Sequence, residues 1–232
     1  MLFQDVITRL ENLSNPDKIL LKKDKFGIAA QNSLGIYHQD LKVIAKEIGT
    51  DNTLALELFD SGIYEARLLC SKIFNAEALT EVLMDKWVVT FENWEICDSF
   101  CMGFFVKSEF ALQKAFEWIE NEHEFIKRAG FVIMAAYGFA HKKAENEVFE
   151  SFLTAIRQHS TDDRIYVKKA VNWALRNIGK RNKDLNVLAI ATAYDILNNK
   201  SKSSKWIARN ALIELEKADC KFLDYPRDIY RE

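Results

Sequence analysis

At 232 residues the chain is long enough to bury a substantial core, as one large domain or two small ones. It is 49% hydrophobic and 28% charged, yet holds only eight glycines and two prolines, too little turn material for a many-stranded β protein. The net charge of −2 conceals an asymmetry. Arg157 to Arg209 carries twelve Lys/Arg against four Asp, which suits either a basic face for a polyanion or a solvated lysine-rich surface. Acidic residues such as Glu117, Glu120, Glu122 and Glu124 balance it elsewhere.

The pattern predicts helices throughout. Leu2 to Leu13 is amphipathic, with Val6, Leu10 and Leu13 on one side. Ser14-Asn15-Pro16-Asp17 ends it and opens a lysine-rich helix to Phe26, proline being tolerated in a first turn. Gly27 to Gly35 reads as a loop. Leu41, Ile44, Ala45 and Ile48 mark the next helix, which Gly49 stops, and Asp51 caps one that ends at Ser61-Gly62. Tyr64 to Phe74 follows. Antiparallel pairs are then expected from Glu77–Thr90 with Glu92–Met102, Glu109–Glu120 with Glu124–Gly138, Glu145–His159 with Asp162–Gly179, and Asn186–Asn198 with Ser203–Lys217. Ala218 to Glu232, which contains Pro226, is expected to be a surface or disordered tail.

These hairpins repeat. Ala129, Ala170 and Ala211, each beside basic residues, are 41 residues apart, and Ala66-Arg67 is a diverged earlier member. A two-helix period near that length predicts an all-α, HEAT- or armadillo-like α-solenoid of stacked antiparallel helix pairs, its recurring cations lining a concave basic face. Ordinary helix packing with chance periodicity is the plainer alternative. No linker interrupts the array, so a single repeat domain over 1–217 is expected, with the tail over 218–232.

Cys70, Cys97, Cys101 and Cys220, and the scattered His38, His123, His141 and His159, have no metal-ligand spacing. No metal or other cofactor is expected. No signal peptide or apolar run of membrane-spanning length is evident, so a cytoplasmic protein with reduced thiols, away from membranes and monomeric, is expected.

Asn93-Trp94-Glu95-Ile96-Cys97-Asp98 draws the most attention. Trp94 and Asp98 are one helical turn apart, an aromatic face beside a carboxylate, suited to a ligand or transition state with positive charge. Such a pair is more often a core tryptophan and a surface aspartate. Here Ile96, Cys97 and Phe100 can fill the core face instead. Lys169, Trp173 and Arg176 make a cation–indole–cation stripe that would be costly to bury but fits a nucleic-acid backbone. Arg128 is either a further phosphate contact or a partner for Glu124, one turn earlier.

Trp94-Glu95-Ile96-Cys97-Asp98, Lys127-Arg128-Ala129-Gly130 and Lys168-Lys169-Ala170-Val171-Asn172-Trp173-Ala174-Leu175-Arg176, in this order, resemble the motifs of the AlkD-type DNA alkylation repair family over about Phe3 to Lys217. The resemblance implies a HEAT-like DNA glycosylase that releases N3- and N7-alkylated purines from duplex DNA without a cofactor. It makes Asp98 the catalytic carboxylate, Trp94 and Trp173 the aromatics against the lesion-bearing deoxyribose, and Arg128 a phosphate contact. Lys169 and Arg176 are further candidates for DNA contact. The sequence departs from the family at Glu95, where many members have aspartate, and over Asp17–Gly35. The alternatives are a non-catalytic binder of damaged or branched DNA and a protein-binding helical scaffold.

Overall fold

The computed structural model describes residues 1–231, and these contain α-helices, two short 3-10 turns and no strand. The helices are α1 Phe3–Asn12, α2 Pro16–Phe26, α3 His38–Ile48, α4 Asn52–Asp60, α5 Tyr64–Ile73, α6 Glu81–Val88, α7 Trp94–Gly103, α8 Ala111–Ile119, α9 Glu124–Ala140, α10 Asn146–His159, α11 Ile165–Gly179, α12 Lys183–Leu197, α13 Lys202–Leu215 and α14 Arg227–Tyr230. They fall into two compact units, Met1–Ser108 and Glu109–Glu232.

Capping chemistry sets the start of six of the helices. The side chains of Asn15, Asp51, Thr80, Asn93, Asn182 and Ser201 accept hydrogen bonds from otherwise unpaired amides in the first turns that follow. Where the helices differ from expectation, local side chains are the reason. The helix expected from Glu77 begins only at Glu81, because Thr80 Oγ1 caps Leu83 N while Asn75 closes a separate 3-10 turn at Ala76–Ala78. The one expected from Asp162 begins at Ile165, because Asp162 Oδ1 accepts the amide and the guanidinium of Arg164. The one expected from Asn186 begins at Lys183, under the Asn182 cap.

In the first unit α5 packs on α3, α4 and α7, and α1 leans on α4 and α5. Its core is aromatic. Trp87 is fully buried with Phe74, Phe100 and Phe104 edge-on around it, ring centroids 5.1, 5.5 and 5.6 Å away. In the second unit α8 pairs with α9, α10 with α11 and α12 with α13; α11 touches both α9 and α13, and α10 touches α12. This is the stacked-pair arrangement the 41-residue spacing predicts. Ala129, Ala170 and Ala211 lie on α9, α11 and α13 and are fully buried. Gly130 is needed for the same closeness: a Cβ there would lie 2.7 Å from the Ala115 carbonyl oxygen of α8. The tail is ordered as far as it is described, with Leu223 N bonded to Lys180 O and Asn182 Nδ2 to Tyr225 O; of the stretch expected to form it, Glu232 lies outside the described residues.

Candidate nucleic-acid interface

The first turn of α7 is built on a buried polar cluster. Asn93 caps it through Oδ1, which accepts from Glu95 N and Ile96 N, while Asn93 Nδ2 donates to Ala29 O at 3.2 Å. Glu95, only 6% exposed, is the centre of the cluster. Lys22 Nζ of α2 lies 2.8 Å from its Oε2, the Tyr64 hydroxyl 2.8 Å from the same oxygen, and His38 Nε2 3.3 Å from Oε1. Burial acts to raise the Glu95 pKa. The hydrogen bonds from His38 and Tyr64 and the close Lys22 ammonium outweigh it and hold the carboxyl down to about 2. Burial and the neighbouring Glu95 carboxylate push the Tyr64 phenol in the opposite direction, far up. Lys22 Nζ also sits 5.4 Å from the Tyr64 ring centroid but makes no well-angled hydrogen bond, so its buried charge rests on proximity to Glu95.

An acid limb in the stability follows. In the unfolded chain Glu95 titrates near 4.5 and in the fold near 2, so the unfolded state takes up the proton first. The stabilisation is complete above about pH 4.5 and is lost as the pH falls toward about 2, on the order of 3 kcal/mol in all. Urea unfolding at roughly pH 6 and pH 3 is expected to show a larger acid loss in the wild type than in Glu95→Gln.

Trp94 and Asp98 lie on the same helix and are both half-buried, whereas Ile96, Cys97 and Phe100 are fully buried. The apolar residues of α7 do fill the core face. The Trp94 indole is oriented by the protein, its Nε1 donating to Phe26 O at the end of α2 (2.9 Å). That bond engages the one polar donor of the indole.

In the second unit Trp173 is half-buried and Lys169 exposed on α11. Arg176, on the same helix, is 2.6 Å from Glu214. Arg128 is 6% exposed, and its Nη1 donates to Tyr166 O at 2.7 Å. Glu124 Oε1 accepts from Tyr166 N, so Glu124 and Arg128 of α9 both grip the first turn of α11. Other cations of the basic stretch are similarly engaged. Arg157 pairs with Asp195, Arg164 with Asp162 and Lys180 with Glu214, and Arg181 is buried. The sequence count therefore overstates the positive charge left over for a ligand.

Sequence reasoning missed the residues that hold the α7 turn. Lys22 reads as one of several surface lysines and Glu95 as an ordinary acidic residue in a first turn. A signal was present: Lys22 stands one turn before Phe26 and three residues after Ile19, on what should be the apolar stripe of α2. Glu65 was missed as well. Its carboxylate accepts from Ser33 Oγ and from the amides of Leu34, Gly35 and Ile36, tying down the loop after α2. Among the described residues no helix is long and apolar enough to cross a membrane.

Three comparisons bear on this arrangement. A protein of Listeria innocua, itself uncharacterised, is 29% identical over 138 residues, 58% of this chain and 62% of that protein, so the match spans less than two thirds of the relative. A solved structure described as a new family related to the HEAT-like repeat DNA glycosylases, with affinity for branched DNA structures, superposes with a TM-score of 0.74 at 22% identity, covering 96% of this chain and 97% of its own. A Streptococcus mutans structure superposes at 0.55 with 20% identity, over 90% of this chain and 98% of its own. These likenesses show a HEAT-like fold. A family model described as DNA alkylation repair enzyme matches residues 6–215.

Proposed function

Because the chain belongs to the DNA alkylation repair enzyme family, we propose that it is a cytoplasmic DNA glycosylase that hydrolyses the N-glycosidic bond of N3- and N7-alkylated purines in duplex DNA. The observation that supports this reading best is the disposition of α7. Of its two carboxylates, Glu95 is buried against Lys22, and Asp98 is half-exposed one turn beyond the oriented indole of Trp94.

Alkylation at N3 or N7 makes the purine cationic. Its C1′–N bond breaks with the electron pair going to the base, which leaves neutral, and positive charge moves onto the deoxyribose. Asp98 is assigned to stabilise that charge and to orient the water whose oxygen bonds to C1′, the water's proton passing to the carboxylate or to solvent. Trp94 presents a ring face to the sugar, and Trp173 is assigned the same role, each worth roughly 0.5–2 kcal/mol as a cation–π contact. Lys169 is assigned to phosphate. Arg176, which shares its charge with Glu214, and Arg128, whose Nη1 donates to the Tyr166 carbonyl, are assigned there too.

A second reading is favoured by the solved relative with affinity for branched DNA: a non-catalytic binder of distorted DNA. One experiment separates the two. The purified chain is incubated with methylated linear duplex, released 7-methylguanine is measured, and binding to linear and four-way-junction DNA is followed across a salt series. Base release above the spontaneous rate, with linear-duplex affinity falling steeply with salt, is the expected result. Tight junction binding without release would replace the glycosylase reading with the second one.

A further inference from the structure

Helix α2 is docked inside out. Its one buried side chain is Lys22, 3% exposed, while Leu20, Leu21 and Phe26 are 62%, 45% and 46% exposed. A surface helix ordinarily docks through its apolar stripe. This one docks through an ammonium whose burial is compensated only where a counter-charge meets it, and that counter-charge, Glu95, belongs to α7.

The contacts run in register. Three successive residues of α7 and its cap hold three points along the segment from α2 to the following loop: Asn93 Nδ2 holds Ala29 O, Trp94 Nε1 holds Phe26 O, and Glu95 holds Lys22. Lys22 lies one helical turn before Phe26, so the ion pair sets the height of the α2 turn whose carbonyl orients the indole. Tyr64 and His38 hold the Glu95 carboxylate from α5 and α3, fixing the α7 end of the link. Glu65 ties down the loop beyond Ala29.

We infer that Lys22 and Glu95 are a positioning pair: by drawing α2 onto the first turn of α7 they fix the orientation of Trp94 and of Asp98 one turn further on. This rests on the reading of Trp94 and Asp98 as the residues that act on the sugar. Neither Lys22 nor Glu95 touches the substrate in this scheme.

The test compares wild type, Glu95→Gln, Lys22→Met and the double variant in three measurements: thermal unfolding, affinity for methylated duplex, and single-turnover release of 7-methylguanine at saturating enzyme. Each single variant leaves an uncompensated group and is expected to melt lower. The double variant removes both charges and is expected to regain most of the melting temperature. Its release rate is expected to stay about tenfold below wild type with DNA affinity within about twofold, since small misplacements at a reacting centre act on the chemical step. A double variant that regains release along with melting would reduce the pair to a structural role and overturn the inference. Amide hydrogen exchange supplies a measurement free of excision. In the double variant the amides of residues 22–29 and 94–98 are expected to exchange about tenfold faster, with those of α4 unchanged; unchanged exchange in both segments would also overturn it. A wild type that releases no base would sink the glycosylase reading alone, and the exchange experiment would still decide whether the pair positions α7.

Discussion

Asp98→Asn is expected to lower single-turnover release of 7-methylguanine by about 10²–10³-fold, the usual consequence of removing one preorganised electrostatic group, while affinity for the same duplex changes by less than about threefold. The substitution is nearly isosteric and keeps hydrogen-bonding capacity, so the α7 turn should keep its shape. What it removes is the negative charge. That charge matters little for binding a polyanion, where it is if anything repulsive, and most at the moment the departing base leaves a positive sugar behind. The chemistry requires this split between rate and affinity: the substrate is already cationic at the base, and catalysis consists of stabilising the charge as it moves to the sugar. Glu95 cannot substitute for Asp98. It is buried in a pair with Lys22 and held as an anion by three neighbouring side chains. The measurement is release from methylated duplex at enzyme excess, beside binding under the same conditions. A variant that excised at the wild-type rate would move the catalytic carboxylate elsewhere.

The contrast between these carboxylates also marks what was legible in the sequence. Helix positions, the alanine spacing of 41 and the burial of Ile96, Cys97 and Phe100 follow from periodicity and capping, which are local properties of the chain. The half-exposure of Trp94 and Asp98 follows as well, since the apolar residues of α7 suffice to fill its core side. The role of Glu95 was not legible, because it depends on Lys22, 73 positions earlier, and on Tyr64 and His38 from two further helices. Pairing at that range leaves no periodic trace. For the same reason charge counting does not show which cations of the stretch from Arg157 to Arg209 are engaged. Glu214, which takes up both Arg176 and Lys180, lies beyond the counted window.

Arg181 is the extreme case of a cation removed from the surface, and Arg181→Met should cost the second unit about 3 kcal/mol, the penalty for leaving the buried Gly138 carbonyl and three part-buried carbonyls without their donor. For a chain of this size that corresponds to a drop of about 6–12 °C in melting temperature. Arg181 is 1% exposed, and burial depresses its pKa to about 10, so it remains charged at neutral pH. Nη1 donates to Gly138 O at 2.8 Å, and Nη2 lies within hydrogen-bond distance of the carbonyls of His141, Lys142 and Ala144 at 3.2, 3.0 and 2.8 Å. These oxygens belong to the end of α9 and the turn after it, where unpaired carbonyls concentrate and a cation is favoured by the helix dipole. The same group lies 4.2 Å from the Phe149 ring centroid and 5.8 Å from that of Tyr225. It therefore joins α9, α10 and the C-terminal segment in one contact. Arg181→Lys separates charge from geometry. It keeps the cation, but a single ammonium cannot reproduce a planar fork spread over several carbonyls, so it is expected to regain less than half of the lost stability. Thermal unfolding by circular dichroism decides it: a methionine variant melting with the wild type would mean that solvent or the relaxing turn satisfies those carbonyls as well as the arginine does.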